Sequence, residues 1–131
     1  MGLGITRTVS APFDQAVAAT REALAEQGFG ILTEIDVQAT LKAKLGEDVP
    51  AYLILGACRP QLAHQALGMD PQIGLLMPCN VVVRQQDADV VVEAFDPKAM
   101  VTITGVDELC TVTDEAHERL TRALDAVAAA L

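Results

Sequence analysis

Residues 51–68 read AYLILGACRPQLAHQALG and decide the fold class. The first seven residues, 51–57, form an apolar run that is followed by Cys58, a pattern typical of a central β-strand covered on both faces. Pro60 suits the first turn of a helix, because the N–H that it lacks would have no intrahelical partner there. Apolar residues then follow at helical spacing, at Leu62, Ala66 and Leu67. The stretch therefore predicts a buried strand that leads directly into a helix.

Strand and helix signals alternate in both directions from this stretch. Towards the amino terminus the pattern predicts two strands and two helices, in the order strand 3–9, helix 13–24, strand 29–35 and helix 37–45. Towards the carboxyl terminus it predicts a hairpin, a short helix and a long amphipathic helix, with strands at 80–85 and 89–95, a helix start at Asp96 and Pro97, and the last helix over 107–131.

This order of elements predicts an α+β fold. We expect two layers, with a mixed β-sheet of about five to six strands, helices on one face and a long C-terminal helix. A chain of 131 residues fits one domain, so residues 1–131 are assigned to a single unit. The apolar runs at 51–57 and 81–83 indicate more burial than one helical layer provides. We therefore expect a homodimer that covers the sheet or its edge.

Charge and composition exclude several classes of partner. The chain carries 18 acidic against 9 basic residues, a formal net charge of −9. Nucleic-acid binding draws on Lys and Arg, and an anionic membrane attracts basic amphipathic helices, so we expect neither partner. Three cysteines without a CxxC pair do not form the disulfide framework of a small secreted domain. No signal-peptide pattern opens the sequence, and we expect a cytoplasmic protein.

Cys58 is the first candidate for chemistry. It lies between a predicted strand and a predicted helix N-terminus, where free N–H groups and the helix dipole favour a thiolate. Arg59 favours the thiolate too, and His64 follows about one turn into the helix. This pattern indicates an activated thiol or a soft metal ligand. The alternative is that Cys58 is a small buried hydrophobic residue and His64 a surface residue.

Cys79 is the second candidate. Pro78 precedes it at a predicted strand start, and Asn80 after it can orient a ligand. If the two strands are antiparallel neighbours, Cys58 and Cys79 share one edge of the sheet. With His64 they would form a soft-metal site, or the two thiols would form a pair able to cycle through a disulfide. The site prediction therefore consists of Cys58, Cys79, Asn80 and His64, with a metal bound by Cys58, Cys79 and His64. The third cysteine, Cys110, is interpreted as structural.

Three segments together resemble the DUF302 family. They are EIDV–ATLK at 34–42, GACRP at 56–60 and IGLLMPCNVVV at 73–83, and the resemblance extends over nearly the whole chain. It implies a compact domain of strands and helices that tends to dimerise, and it implies no established activity. The Cys-Pro and Pro-Cys-Asn elements of the family match Cys58, Pro60, Pro78, Cys79 and Asn80, which strengthens the interpretation of both cysteines as functional.

Three functions remain open from the sequence. The first is a dimeric binding or sensing domain that holds a soft metal or a small thiol-reactive ligand at Cys58 and Cys79, with His64. The second is an interaction module without chemistry, in which the same residues pack the core and the dimer interface. The third is a thiol enzyme with Cys58 as nucleophile. The sequence identifies no cofactor and no particular ligand.

Overall fold

The computed structural model describes residues 2–131. These residues contain five strands and five helices, in the order β1 Gly4–Val9, α1 Phe13–Glu26, β2 Gly30–Asp36, α2 Val37–Leu45, β3 Tyr52–Cys58, α3 Pro60–Met69, β4 Cys79–Gln86, β5 Asp89–Phe95, α4 Ala99–Thr104 and α5 Cys110–Ala130. Two short 3-10 segments, Pro71–Leu76 and Asp107–Leu109, precede β4 and α5. The predicted α+β class and the long C-terminal helix are confirmed.

The five strands form one sheet in the order β1-β5-β4-β3-β2. Every neighbouring pair is antiparallel, so the sheet is antiparallel throughout rather than mixed. The reason lies in the connections. Strands β2 to β5 are adjacent in chain order, so α2 and α3 lie within connections between antiparallel neighbours instead of forming parallel βαβ crossovers. Only β1 is displaced, and it pairs with β5 at the far edge.

The main core lies between the sheet and the helices α1 and α5. Strand residues alternate in direction, so every second residue of β3, β4 and β5 faces these helices. The buried side chains of this cluster include Leu55, Val81, Val92, Leu120 and Leu124, each 0% exposed. The long helix α5 has a continuous apolar face, and its C-terminal half completes this core.

A second, smaller core lies beside the first. It contains apolar residues of α3, of the segment after α3, of α4, of the 3-10 segment before α5 and of the N-terminal part of α5, namely Leu62, Ala66, Ile73, Met100, Leu109, Val112 and Ala116. Helix α5 therefore contributes to both clusters.

Cys110, interpreted from the sequence as structural, is instead exposed at the start of α5, because Leu109 and Val112 take the inward positions. Among residues 2–131, no helix combines the length and apolarity needed to cross a membrane.

Candidate functional site

A pocket lies where the second core meets the end of the sheet. Its volume is about 50 Å³, and its walls come from the β3–α3 junction, the start of β4, and the helices α4 and α5. Most of the lining is aliphatic, including Leu62, Ala66, Leu109, Val112 and Ala116. Both Cys58 and Cys79 belong to the lining. We call this cavity the thiol pocket.

The sheet register brings the two cysteines to the thiol pocket. Cys58 is the last residue of β3 and Cys79 is the first residue of β4. The strands are antiparallel neighbours, and Ala57 lies opposite Cys79 in the ladder. The C-terminal end of β3 and the N-terminal end of β4 therefore lie at the same end of the sheet. Both thiols are free, and both side chains are partly buried.

Burial dominates the electrostatics of the two thiols. Burial raises the pKa of Cys58 above its ordinary value of 9.0. It also raises the pKa of Cys79, to about 11, and the negative charge of an ionised Cys58 adds to this shift. The expected activation of Cys58 by the helix N-terminus and by Arg59 is thus outweighed by desolvation. Both groups are neutral thiols at pH 7.

Arg59 supplies the one formal charge in the pocket lining among the described residues. Its Nη1 donates to Gln61 Oε1 at 2.7 Å, and its Nε lies 3.7 Å from Glu115 Oε2. That carboxylate oxygen accepts a closer hydrogen bond from Arg119, at 2.9 Å. The Nε of Arg59 is buried and has no hydrogen-bond partner within residues 2–131. Its positive charge is therefore compensated only in part.

His64 does not join the two cysteines. Leu62 and Ala66 form the buried face of α3, and His64 lies between them in sequence, so the helical rotation points it outward. Its side chain is exposed and does not line the thiol pocket. Within the part of the chain that the structure describes, no three His, Cys, Asp or Glu side chains are grouped so that they could hold a metal ion. The expected three-ligand set of Cys58, Cys79 and His64 is therefore not assembled.

Asn80 lies on the other side of the sheet. Successive residues of a strand face opposite ways, so Cys79 and Asn80 diverge. Asn80 lines a groove of about 670 Å³ on the sheet face opposite α1 and α5, together with Tyr52, Val82 and Phe95. We call this the open-face groove. The predicted site residues thus divide into Cys58 and Cys79 at the thiol pocket, Asn80 in the open-face groove, and His64 at neither.

Among the lining residues that sequence reasoning missed are two that carry sulfur, Met77 and Met100. Met77 directly precedes Pro78, whose peptide bond with it is cis, and its position beside Cys79 was a usable signal. Met100 lies in α4 and is 5% exposed. Nothing in the sequence pattern connects it to Cys58, because its place in the lining depends on how α4 packs into the second core.

The fold and this pocket define a small antiparallel α+β domain with a sulfur-containing apolar cavity at one end of its sheet. Residues 5–127 match the family described as "Domain of unknown function DUF302", and the chain belongs to this family. The chain is also similar to a solved structure, "Crystal structure of uncharacterized conserved protein DUF302 from Bacillus stearothermophilus". The two share 27% sequence identity with a TM-score of 0.89, over 96% of this chain and 98% of the other. No curated protein matches the chain.

Proposed function

We propose that this protein is a binding or sensing domain that holds a small ligand in the thiol pocket through Cys58 and Cys79. The ligand would be a soft metal ion or a small thiol-reactive molecule. The observation that carries the proposal is that two thiols, from residues 21 positions apart in the chain, line one cavity. An apolar cavity with a few convergent polar groups is the usual form of a small-ligand site.

The state of the thiols favours binding over catalysis. A thiol nucleophile acts as its thiolate, and burial holds the pKa of both groups above the ordinary value. A metal ion displaces the proton when it binds, so a raised pKa lowers its apparent affinity without preventing binding. His64, the base required by a thiol enzyme, is exposed and lies outside the pocket. These facts support a binding site ahead of the thiol-enzyme alternative.

The open-face groove favours a second candidate, an interaction module that acts as a homodimer. Leu75 is 85% exposed at the rim of this groove, and Tyr52, Val82 and Phe95 contribute partly exposed apolar surface beside it. A second copy of the chain docked on this face would remove that surface from water. We expect Leu75→Asp to shift a dimer towards monomer in light scattering after gel filtration. Leu45→Asp, at another exposed leucine, is the matched control.

The binding proposal is tested by mass spectrometry of protein purified without added reductant or chelator. Native and denaturing spectra of the parent chain are compared with those of Cys58→Ser, Cys79→Ser and Cys110→Ser. The proposal predicts extra mass, either lost on denaturation or covalently mapped to Cys58 or Cys79, that disappears in the first two variants and persists in the third. Bare chains in every spectrum, and equal reaction of all three cysteines with added electrophiles and soft metal ions, would contradict it.

A further inference from the structure

Sulfur side chains converge on the thiol pocket. Residues 2–131 contain three cysteines and three methionines. Four of these six, Cys58, Met77, Cys79 and Met100, line the same cavity. The other two, Met69 and Cys110, are exposed at the end of α3 and the start of α5. The pocket therefore offers two thiols and two thioethers in one small space.

This donor set selects among metal ions. Thiolate and thioether ligands are soft and suit Cu(I), whereas Mg²⁺ and Ca²⁺ require oxygen ligands. Structural zinc sites use four ligands, drawn from Cys, His and carboxylates. No histidine or carboxylate belongs to the described lining of the pocket, which leaves only two ligands of the kind that zinc prefers. A soft monovalent ion fits the sulfur set better than a divalent one.

The charges of the pocket agree with a monovalent ion. Two thiolates and one monovalent cation together carry a net charge of −1. Arg59 lines the same cavity, and its buried Nε lacks a hydrogen-bond partner among the described residues. The N-terminus of α3, a helix of ten residues, begins directly after Arg59 and adds partial positive charge. The bound anionic complex would thus be neutralised, which a low-dielectric pocket requires.

We propose that the thiol pocket is a Cu(I) site in which Cys58 and Cys79 are the thiolate ligands, Met77 is a thioether ligand, and Arg59 neutralises the complex. This assignment rests on the proposed binding function and names its ligand. On binding, two S–H bonds break and three Cu–S bonds form, two to the thiolates of Cys58 and Cys79 and one to the thioether of Met77. Both protons pass to solvent, and the copper keeps its oxidation state. Met100, which is 5% exposed, completes the sulfur-bearing lining of the pocket.

The proposal is tested by anaerobic titration of Cu(I) in competition with a chromogenic Cu(I) chelator. We expect one Cu(I) per chain. Cys58→Ser and Cys79→Ser should each lower the affinity by more than the roughly 10–100-fold typical of losing a residue that only supports a metal ligand. Met77→Leu should weaken binding by a smaller factor and retain the 1:1 stoichiometry. His64→Ala and Cys110→Ser are matched controls and should bind as the parent does.

Several results would overturn the assignment. They are no binding of Cu(I), binding that survives loss of Cys58 or Cys79, binding that requires Cys110 or His64, or displacement of Cu(I) by an equal concentration of Zn²⁺. Circular dichroism of each variant checks folding, and Cys→Ala variants replace any Cys→Ser protein that fails to fold. If Cu(I) does not bind but an electrophile or a co-purified molecule still occupies Cys58 or Cys79, the copper assignment fails while the binding function stands.

Discussion

The partly buried thiol of Cys79 lowers the free energy of unfolding at alkaline pH, and Cys79→Ala should remove this contribution. The folded-state pKa is raised from 9.0 to about 11. A raised pKa means that folding favours the neutral thiol, so this contribution is fully present below pH 9 and is lost as the pH rises towards 11. One pKa unit corresponds to about 1.4 kcal/mol, so the shift is worth up to about 3 kcal/mol. By pH 10.5 the loss should reach about 2 kcal/mol.

The assay is urea denaturation at pH 8 and at pH 10.5 in the presence of a reductant. The free energy of unfolding of the parent should fall more between these pH values than that of Cys79→Ala, by about 2 kcal/mol. The remaining titrating groups are common to both proteins, so the difference between the two changes reports the ionisation of Cys79 together with its repulsion by an ionised Cys58. Cys110→Ala removes an exposed thiol instead and should behave as the parent does. Equal losses in the parent and in Cys79→Ala would refute the assigned burial of this thiol.

Three further substitutions test the fold at Gly56, in the main core and at the start of α2, each by urea denaturation at pH 7. At Gly56 an added Cβ would lie 2.1 Å from Thr33 Oγ1 and 2.8 Å from a ring carbon of Pro78, so Gly56→Ala should cost about 1–3 kcal/mol. Leu120→Ala removes a fully buried side chain of the main core and should cost about 2–5 kcal/mol. The Asp36 carboxylate accepts a hydrogen bond from the Ala39 N–H at 2.9 Å and caps α2, so Asp36→Ala should cost about 0.5–2 kcal/mol.

Each of these has its own control. When it is added to Gly56→Ala, Thr33→Ala should restore only part of the lost stability, because the clash with the Pro78 ring remains. If no stability is recovered, the clash with Thr33 is not the cause of the loss. Leu45→Ala, at an exposed leucine, should change stability by less than about 0.5 kcal/mol, and a loss equal to that of Leu120→Ala would contradict the position of the core. Asp36→Asn should retain most of the cap, and equal losses for Asn and Ala would argue against capping.

The close approach at Gly56 links the sheet to the site. Gly56 in β3 lies opposite Asn80 in β4, one position along the ladder from Ala57 and Cys79. Pro78 closes over Gly56, and the absence of a side chain there allows this approach. The segment that leads into Cys79 is thereby held against the end of β3. A substitution at Gly56 should consequently disturb the thiol pocket as well as stability.

The spacing of apolar residues, together with the residues that favour turns and helix ends, was enough to predict most of the fold. The apolar run at 51–57, the hairpin with its turn at Asp87 and Ala88, and the helical period of α5 depend on local chemistry, and all three appear in the structure. The order of elements predicts helices on one face of a mixed sheet, whereas every neighbouring pair of strands is antiparallel. Strand order is a long-range property, and the pattern of a single strand does not contain it.

The candidate site was only partly predictable for the same reason. Cys58 and Cys79 could be placed at one edge of the sheet once an antiparallel register was assumed, and the register is antiparallel. His64 was included because it is close in sequence, although the buried positions Leu62 and Ala66 already turn it outward on α3. Met100 reaches the pocket through helix packing alone, which no spacing in the sequence reveals.

The most direct measurement is a crystal structure of the protein loaded anaerobically with Cu(I), with diffraction data collected at the copper absorption edge. The Cu(I) assignment predicts one anomalous peak per chain, in the thiol pocket and bonded to the sulfur atoms of Cys58 and Cys79. An empty thiol pocket, or a peak at Cys110 or His64 instead, would contradict it.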